Sequence, residues 1–342
     1  MSVRRRVPPA ARITLVLGAS VAALSGCGSG STTPPPPPLT PGAHASRRPG
    51  HPGAAAGRRL TATRIATLPA PRERTASATL GGDIIVSGGL SSAQSSTQTV
   101  WSIQPDGSVR TLAPLPSPIH DAAATALGSS VLIFGGGQTE GSTRVLRARP
   151  GPPALVGQLP QALSDLDAVT VGDRAFVVGG WNGSLPSPAV YSATADGHVS
   201  VAGRLPVGLR YPAAAALNGQ VLVAGGEGPG GSSTSTILSW DPTTGQTTRP
   251  ARLAAPVSHA AGVALGGRLY LIGGVRGDQP SDLILSWAPG EPRFQVSGHL
   301  PRALADTAAV PFGGGIAVIG GRSADGPVDG VWLLRAAPVS TG

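Results

Sequence analysis

Six short apolar runs punctuate the chain, each closed by a pair of glycines. They are Ile84-Ile85-Val86-Ser87, Val131-Leu132-Ile133-Phe134, Ala175-Phe176-Val177-Val178, Val221-Leu222-Val223-Ala224, Leu269-Tyr270-Leu271-Ile272 and Ile316-Ala317-Val318-Ile319. The pairs begin at Gly88, Gly135, Gly179, Gly225, Gly273 and Gly320, at intervals of 47, 44, 46, 48 and 47 residues. A period of this size marks a repeat architecture in which one supersecondary unit recurs. Leu68, Leu115, Leu159, Leu205, Leu253 and Leu300 each stand 20 residues before their glycine, and five of the six are followed by Pro. Runs of four to six apolar residues between turn signals are too short for helices and predict strands.

Between the Leu and the Gly-Gly pair the pattern reads strand, two-residue turn, strand. The turns are Gly81-Gly82, Gly128-Ser129, Gly172-Asp173, Asn218-Gly219, Gly266-Gly267 and Gly313-Gly314, residues that suit the positive φ of I′ and II′ hairpins. A polar loop of variable length follows each Gly-Gly pair, and then a third strand carrying Trp101, Leu146, Tyr191, Trp240, Trp287 or Trp332. Asp106-Gly107, Asp196-Gly197 and Asp241 to Gly245 turn the chain into a fourth. Four antiparallel strands repeated six times predict an all-β fold, a six-bladed propeller over residues 60–342. The last copy supplies only three strands, ending near Arg335, while Leu60 to Thr67 reads as an orphan strand before the first. Pairing the two would close the ring and remove two sheet edges.

Gly-Gly after an apolar strand, an aromatic on the third strand and Leu-Pro before the first resemble the kelch family, over residues 60 to 335. The sequence departs from it in lacking, in every copy, the Trp that kelch repeats carry on the fourth strand. The resemblance implies that the loop before the first strand and the loop after Gly-Gly open on one face around the channel mouth, where family members bind partners.

The 342 residues include 50 Gly and 35 Pro, a composition of turns and short strands rather than helices. The net charge of +9 would suggest nucleic acid, but its location removes that reading. Eight arginines precede residue 60 and no acid does, which leaves 18 basic against 17 acidic residues in the repeats. So balanced a surface has no basic stripe to neutralise phosphates.

Residues 1–27 read as an export signal: Arg4 to Arg6 and Arg12, an apolar run from Ile13 to Leu24, then Leu24-Ser25-Gly26-Cys27. The last four residues resemble the bacterial lipobox, which implies lipidation of Cys27, the sole Cys, and anchoring on the outer face of a cell membrane. Residues 28–59, with Pro34 to Pro38 in a row, have no apolar periodicity and are expected to form a tether reaching roughly 100 Å.

Six residues after each anchoring Leu stand Arg74, Asp121, Asp165, Tyr211, His259 and Asp306, polar in every copy. Trp181, Glu227 and Arg322 directly follow Gly-Gly pairs. These nine, with Asp167, are read as the ligand-binding face. Eight residues after the Leu, Asp167 stands where the other copies have Ala. Because strand side chains alternate, Asp165 and Asp167 are expected to share a face roughly 7 Å apart, where they could hold a divalent cation or adjacent sugar hydroxyls. Positions nine after the Leu (Ser77, Ala124, Ala168, Ala214, Gly262, Ala309) are all small, as expected where sheets converge on an axis.

Complete catalytic sets are missing from the sequence. Six scattered His show no zinc spacing, and no Gly-x-Ser-x-Gly elbow stands between a strand and a helix. A copper site like that of galactose oxidase needs a Tyr crosslinked to Cys, and the one Cys is the lipid acceptor. The expectation is a monomeric, exported binding or scaffold propeller offering its channel mouth to a carbohydrate, cell-wall fragment or protein. One alternative is a kelch-type sugar mutarotase or epimerase, in which Glu227 with Arg210 or His259 transfers protons. The other is a purely structural envelope lipoprotein.

Overall fold

The computed structural model describes residues 59–137, 141–149 and 151–337; the export signal, Cys27 and the tether up to residue 58 lie outside them. Among the described residues every regular element is a strand. The strands follow one another in antiparallel groups of four. The first group is Ala76–Leu80, Asp83–Ser87, Val100–Ile103 and Val109–Thr111, paired in that order. The second begins with His120–Leu127, Ser130–Gly137 and Ser142–Arg149 and takes its outer strand from the start of Ala154–Val171. That 18-residue strand runs on without interruption to become the inner strand of the third group, beside Arg174–Trp181, Ala189–Ala193 and Val199–Arg204. The fourth group is Ala213–Leu217, Gln220–Ala224 and Thr234–Trp240, with its outer position divided between Thr247–Thr248 and Arg252–Val257. The fifth is Ala261–Leu265, Arg268–Ile272, Gln279–Trp287 and Gln295–Leu304. The sixth comprises Ala308–Phe312, Gly315–Ile319 and Gly326–Ala336, and its outer strand is Leu60–Arg72, from the start of the described chain.

The apolar faces are buried between groups rather than inside them. One core cluster joins Ala78 and Ile85 of the first group to Ile119, Ile133 and Leu146 of the second. Four more clusters join each later group to the next, and another joins Val310, Phe312 and Ile319 of the sixth to Ile84, Val86 and Trp101 of the first. Trp240 is fully buried in one of these seams, edge-on to Phe176 of the preceding group at 5.4 Å.

The Gly-Gly pairs are forced by this stacking. At Gly273, with φ of 65°, a Cβ would stand 2.3 Å from the Leu304 carbonyl oxygen, where the outer strand ends and the chain crosses toward the next inner strand. The amide of Gly274 donates to that same oxygen at 2.9 Å. Only a residue without a side chain lets the backbones approach so closely while adopting a left-handed conformation. At the hairpins Asn218 and Gly219 both have positive φ, whereas in Gly128-Ser129 and Gly172-Asp173 only the first residue does, the II′ pattern.

Candidate functional site

The six residues at the start of the inner strands share one unusual property. Arg74, Asp121, Asp165, Tyr211, His259 and Asp306 all have positive φ, between 48° and 59°. For residues other than Gly this left-handed conformation costs on the order of 1 kcal/mol each, so the surrounding structure must impose it. It does so through five hydrogen bonds between neighbouring groups. The amide of Asp121 donates to the Arg74 carbonyl (3.3 Å), Tyr211 to Asp165 (2.9 Å), His259 to Tyr211 (3.2 Å), Asp306 to His259 (3.0 Å) and Arg74 to Asp306 (2.9 Å). The six backbones therefore stand side by side at one end of the inner strands, with their side chains gathered there.

The side chains then cross-link the groups. Arg74 Nη1 donates to Asp121 Oδ2 at 2.9 Å, and its Nε lies 3.6 Å from Asp306 Oδ1. Arg210, which precedes the ring residue Tyr211, donates from Nη2 (2.6 Å) and Nε (3.0 Å) to Asp165 Oδ2. Its guanidinium lies between the rings of Trp181, 4.8 Å away, and Tyr211, 4.6 Å away. Tyr211 stacks on His259 with centroids 3.7 Å apart. Its hydroxyl accepts from Arg210 at 3.1 Å and from Arg74, three groups further round, at 3.5 Å. Polar side chains thus span the mouth and floor it. Trp181, Glu227 and Arg322, just beyond the Gly-Gly pairs, form a rim.

His259 is the most constrained titratable group. Its Nδ1 lies 2.6 Å from Asp306 Oδ1 and its Nε2 lies 3.4 Å from Glu227 Oε1. Burial alone would lower its pKa, but the two carboxylates outweigh that and raise it to about 9, so the ring is an imidazolium at neutral pH. The hydrogen bond from His259 holds Glu227 below the usual carboxylate range, and Ser258 Oγ donates to the same Oε1 at 3.4 Å. Asp306 is lowered too: burial opposes ionisation, but His259, Arg74 and Arg322 more than compensate. Asp121 goes the other way. Burial, reinforced by Asp165 and Asp306, lifts it to about 7 despite Arg74.

The local backbone parts Asp165 from Asp167, the two acids read as candidate cation ligands. Because Asp165 adopts φ of 59°, the alternation that would put it on the face of Asp167 is broken at that residue. The two acids go to different partners, Asp165 to Arg210 and Asp167 to backbone amides: its Oδ1 accepts from Ala168 (2.8 Å) and its Oδ2 from Ala214 of the next group (2.6 Å). Burial pushes the Asp167 carboxyl up to about 7 in spite of those bonds. Among the described residues no three His, Cys, Asp or Glu are arranged to hold a metal ion.

Three residues of the site escaped the sequence reading. Glu73, 1% exposed, accepts from Gln94 at 2.9 Å and lies 3.2 Å from Arg322. His120 accepts or donates at Nδ1 with Ser96 Oγ (2.8 Å), and its Nε2 is 3.5 Å from Asp121. The available signal was the position before the ring residue, polar in five of six copies: Glu73, His120, Ser164, Arg210, Ser258 and Ala305.

Behind the ring lies a cavity of about 520 Å³, walled by the inner strands. Its lining beyond the ring is mostly Ala, Thr, Val and Gly, with Asp167 the single ionisable side chain there. The small residues are required: a Cβ at Gly262 would stand 2.6 Å from the Ala214 oxygen of the adjacent strand.

No family model and no curated protein matches the chain. Among solved structures, one titled "Structure of YjhT" is similar with a TM-score of 0.70 and 18% sequence identity, covering 78% of this chain and 95% of that one. At such identity the likeness is one of fold, an all-β architecture shared over most of both chains.

Proposed function

We propose that this chain is a six-bladed kelch-type propeller, exported and lipid-anchored through Cys27, whose channel mouth binds a saccharide. One observation carries the reading. The mouth gathers arginines, carboxylates, an imidazolium and two aromatic rings into a single cross-linked array, built on six backbones in a costly conformation and backed by a cavity of about 520 Å³. Mixed donors and acceptors held rigidly beside aromatic faces suit a polyhydroxylated ligand, and the cavity falls in the usual size range for small-molecule sites. The near balance of acids and bases suits it better than a polyanion. A thermal-shift screen of mono- and oligosaccharides, wall fragments and divalent cations tests this. A saccharide is expected to raise Tm, and Asp165→Ala or Tyr211→Ala to abolish the rise; no rise with any sugar would refute it. The anchor is checked separately, since Cys27→Ala should move the protein from the membrane fraction to the soluble one.

A second reading, a mutarotase or epimerase acting outside the cytoplasm, is favoured by one feature. His259 is an imidazolium wedged between Asp306 and the carboxylate Glu227, so acid and base stand in contact at the rim. It requires sugar turnover that Glu227→Gln eliminates.

A further inference from the structure

Arg322 differs from the other two arginines of the mouth in which of its nitrogens are engaged. Its Nε donates to Asp306 Oδ2 at 3.2 Å and lies 3.2 Å from Glu73 Oε2. Both carboxylates are nearly inaccessible, their side chains 2% and 1% exposed, and each is held from its other oxygen, Asp306 by His259 and Glu73 by Gln94. The backbone is fixed as well, because Arg322 and Ala305 exchange amide-to-carbonyl hydrogen bonds of 2.7 and 2.9 Å. Yet Nη1 and Nη2 make no hydrogen bond among the described residues, and the side chain is 35% exposed at the rim. Arg210, by contrast, commits Nε and Nη2 to Asp165 and lies between two rings, and Arg74 reaches Asp121 and Tyr211 through Nη1.

A surface arginine normally keeps the freedom of its long stem, and that freedom is lost when a ligand is bound. Here the order is already imposed from the Nε side, leaving the outward Nη edge free with parallel N–H donors. That edge matches two oxygens of a carboxylate or phosphate. Both carboxylates behind it act from the Nε side and leave the Nη donors unengaged; Asp306 is shared among Arg322, His259 and Arg74, and Glu73 faces Arg322. We propose that Arg322 is the specificity-determining residue of the mouth, and that the saccharide taken there bears an oxyanion which Arg322 grips in bidentate fashion. This rests on the saccharide-binding reading above.

Matched pairs test it by calorimetry: D-galacturonate against D-galactose for a carboxylate, and glucose 6-phosphate against glucose for a phosphate. The charged member of at least one pair should bind about tenfold or more tightly, and the pair that shows the preference identifies the oxyanion. In Arg322→Gln the preference should shrink to within about twofold, and in Arg322→Lys, which keeps charge but not the fork, it should fall between. Equal affinities within both pairs in the wild type overturn the proposal while leaving the saccharide reading intact. Binding of none of the four overturns the proposal, and the saccharide reading falls with it only if no sugar of the thermal-shift screen raises Tm. A preference undiminished in Arg322→Gln, or as large as wild type in Arg322→Lys should the Gln variant not fold, overturns the assignment to this residue.

Discussion

The imidazolium at position 259 should make the protein measurably less stable between pH 7 and pH 9.5. In the folded chain the pKa is raised from 6.5 to about 9, so the group's stabilisation is complete below pH 6.5 and is lost as pH rises through 9. At about 1.36 kcal/mol per unit, the shift is worth roughly 3 kcal/mol. Solvent screening takes little from that figure, because the His259 side chain is only 11% exposed. For a domain of this size the loss corresponds to a fall of about 5 °C in Tm. The window is clean above pH 8. Asp121 and Asp167, both raised to about 7, act in the same direction at lower pH: each loses stability as pH climbs from about 4 to 7 and adds little slope above pH 8. Glu227 and Asp306 have lowered pKa values and stay ionised throughout, and the raised Tyr211 titrates later. Differential scanning calorimetry of wild type and His259→Gln at half-unit steps gives the answer. The wild type should show the slope and the variant should not. A flat wild-type profile, or the same slope in both proteins, would refute the account of His259 as a charged link between two carboxylates.

Two further outcomes follow from the fold. Gly262→Ala should lower stability by about 1–3 kcal/mol, read as a chemical-denaturation midpoint shift without change in m, because the new Cβ meets the Ala214 oxygen at 2.6 Å and the inner strands must part to admit it. Deleting residues 60–72 should yield aggregated or unfolded protein by size-exclusion chromatography, whereas deleting residues up to 58 should not: the strand removed pairs with Gly326–Ala336 from Leu60↔Ala336 to Arg72↔Val328 and covers an edge that would otherwise be open.

The repeat was readable in the sequence because its punctuation is forced by sterics. Gly88, Gly135, Gly179, Gly225, Gly273 and Gly320 all sit where a Cβ would strike a backbone carbonyl two residues before one of the six ring residues, so the period survives even where loops vary. The aromatic third-strand positions were legible for a related reason: Trp101, Tyr191, Trp240, Trp287 and Trp332 all fill seams between groups. What eluded the sequence was conformation within a strand that looks regular. Asp165 and Asp167 satisfy the spacing rule for a shared face, but one left-handed residue redirects the chain, and period-two reasoning has no means of detecting it. Glu73, His120 and Gln94 were missed because their partners come from segments 21 to 249 residues away or from a loop with no pattern of its own.

The ring also shows how chemistry can vary on a fixed backbone. In a left-handed conformation Gly would be the least costly residue at all six positions, and Asp and His are tolerated there more readily than most side chains. Asp121, Asp165, Asp306 and His259 therefore need little explanation. Arg74 and Tyr211 do, and they are the two ring residues that reach each other across the mouth, with Tyr211 also carrying His259 on its face and Arg210 beneath its hydroxyl. The most strained side chains are thus the ones that floor the site. A purely structural ring could close through its backbone hydrogen bonds with small residues at these positions. Placing an arginine and a tyrosine there makes sense if the surface they form has to be rigid, polar and aromatic at once, which is the surface a saccharide requires.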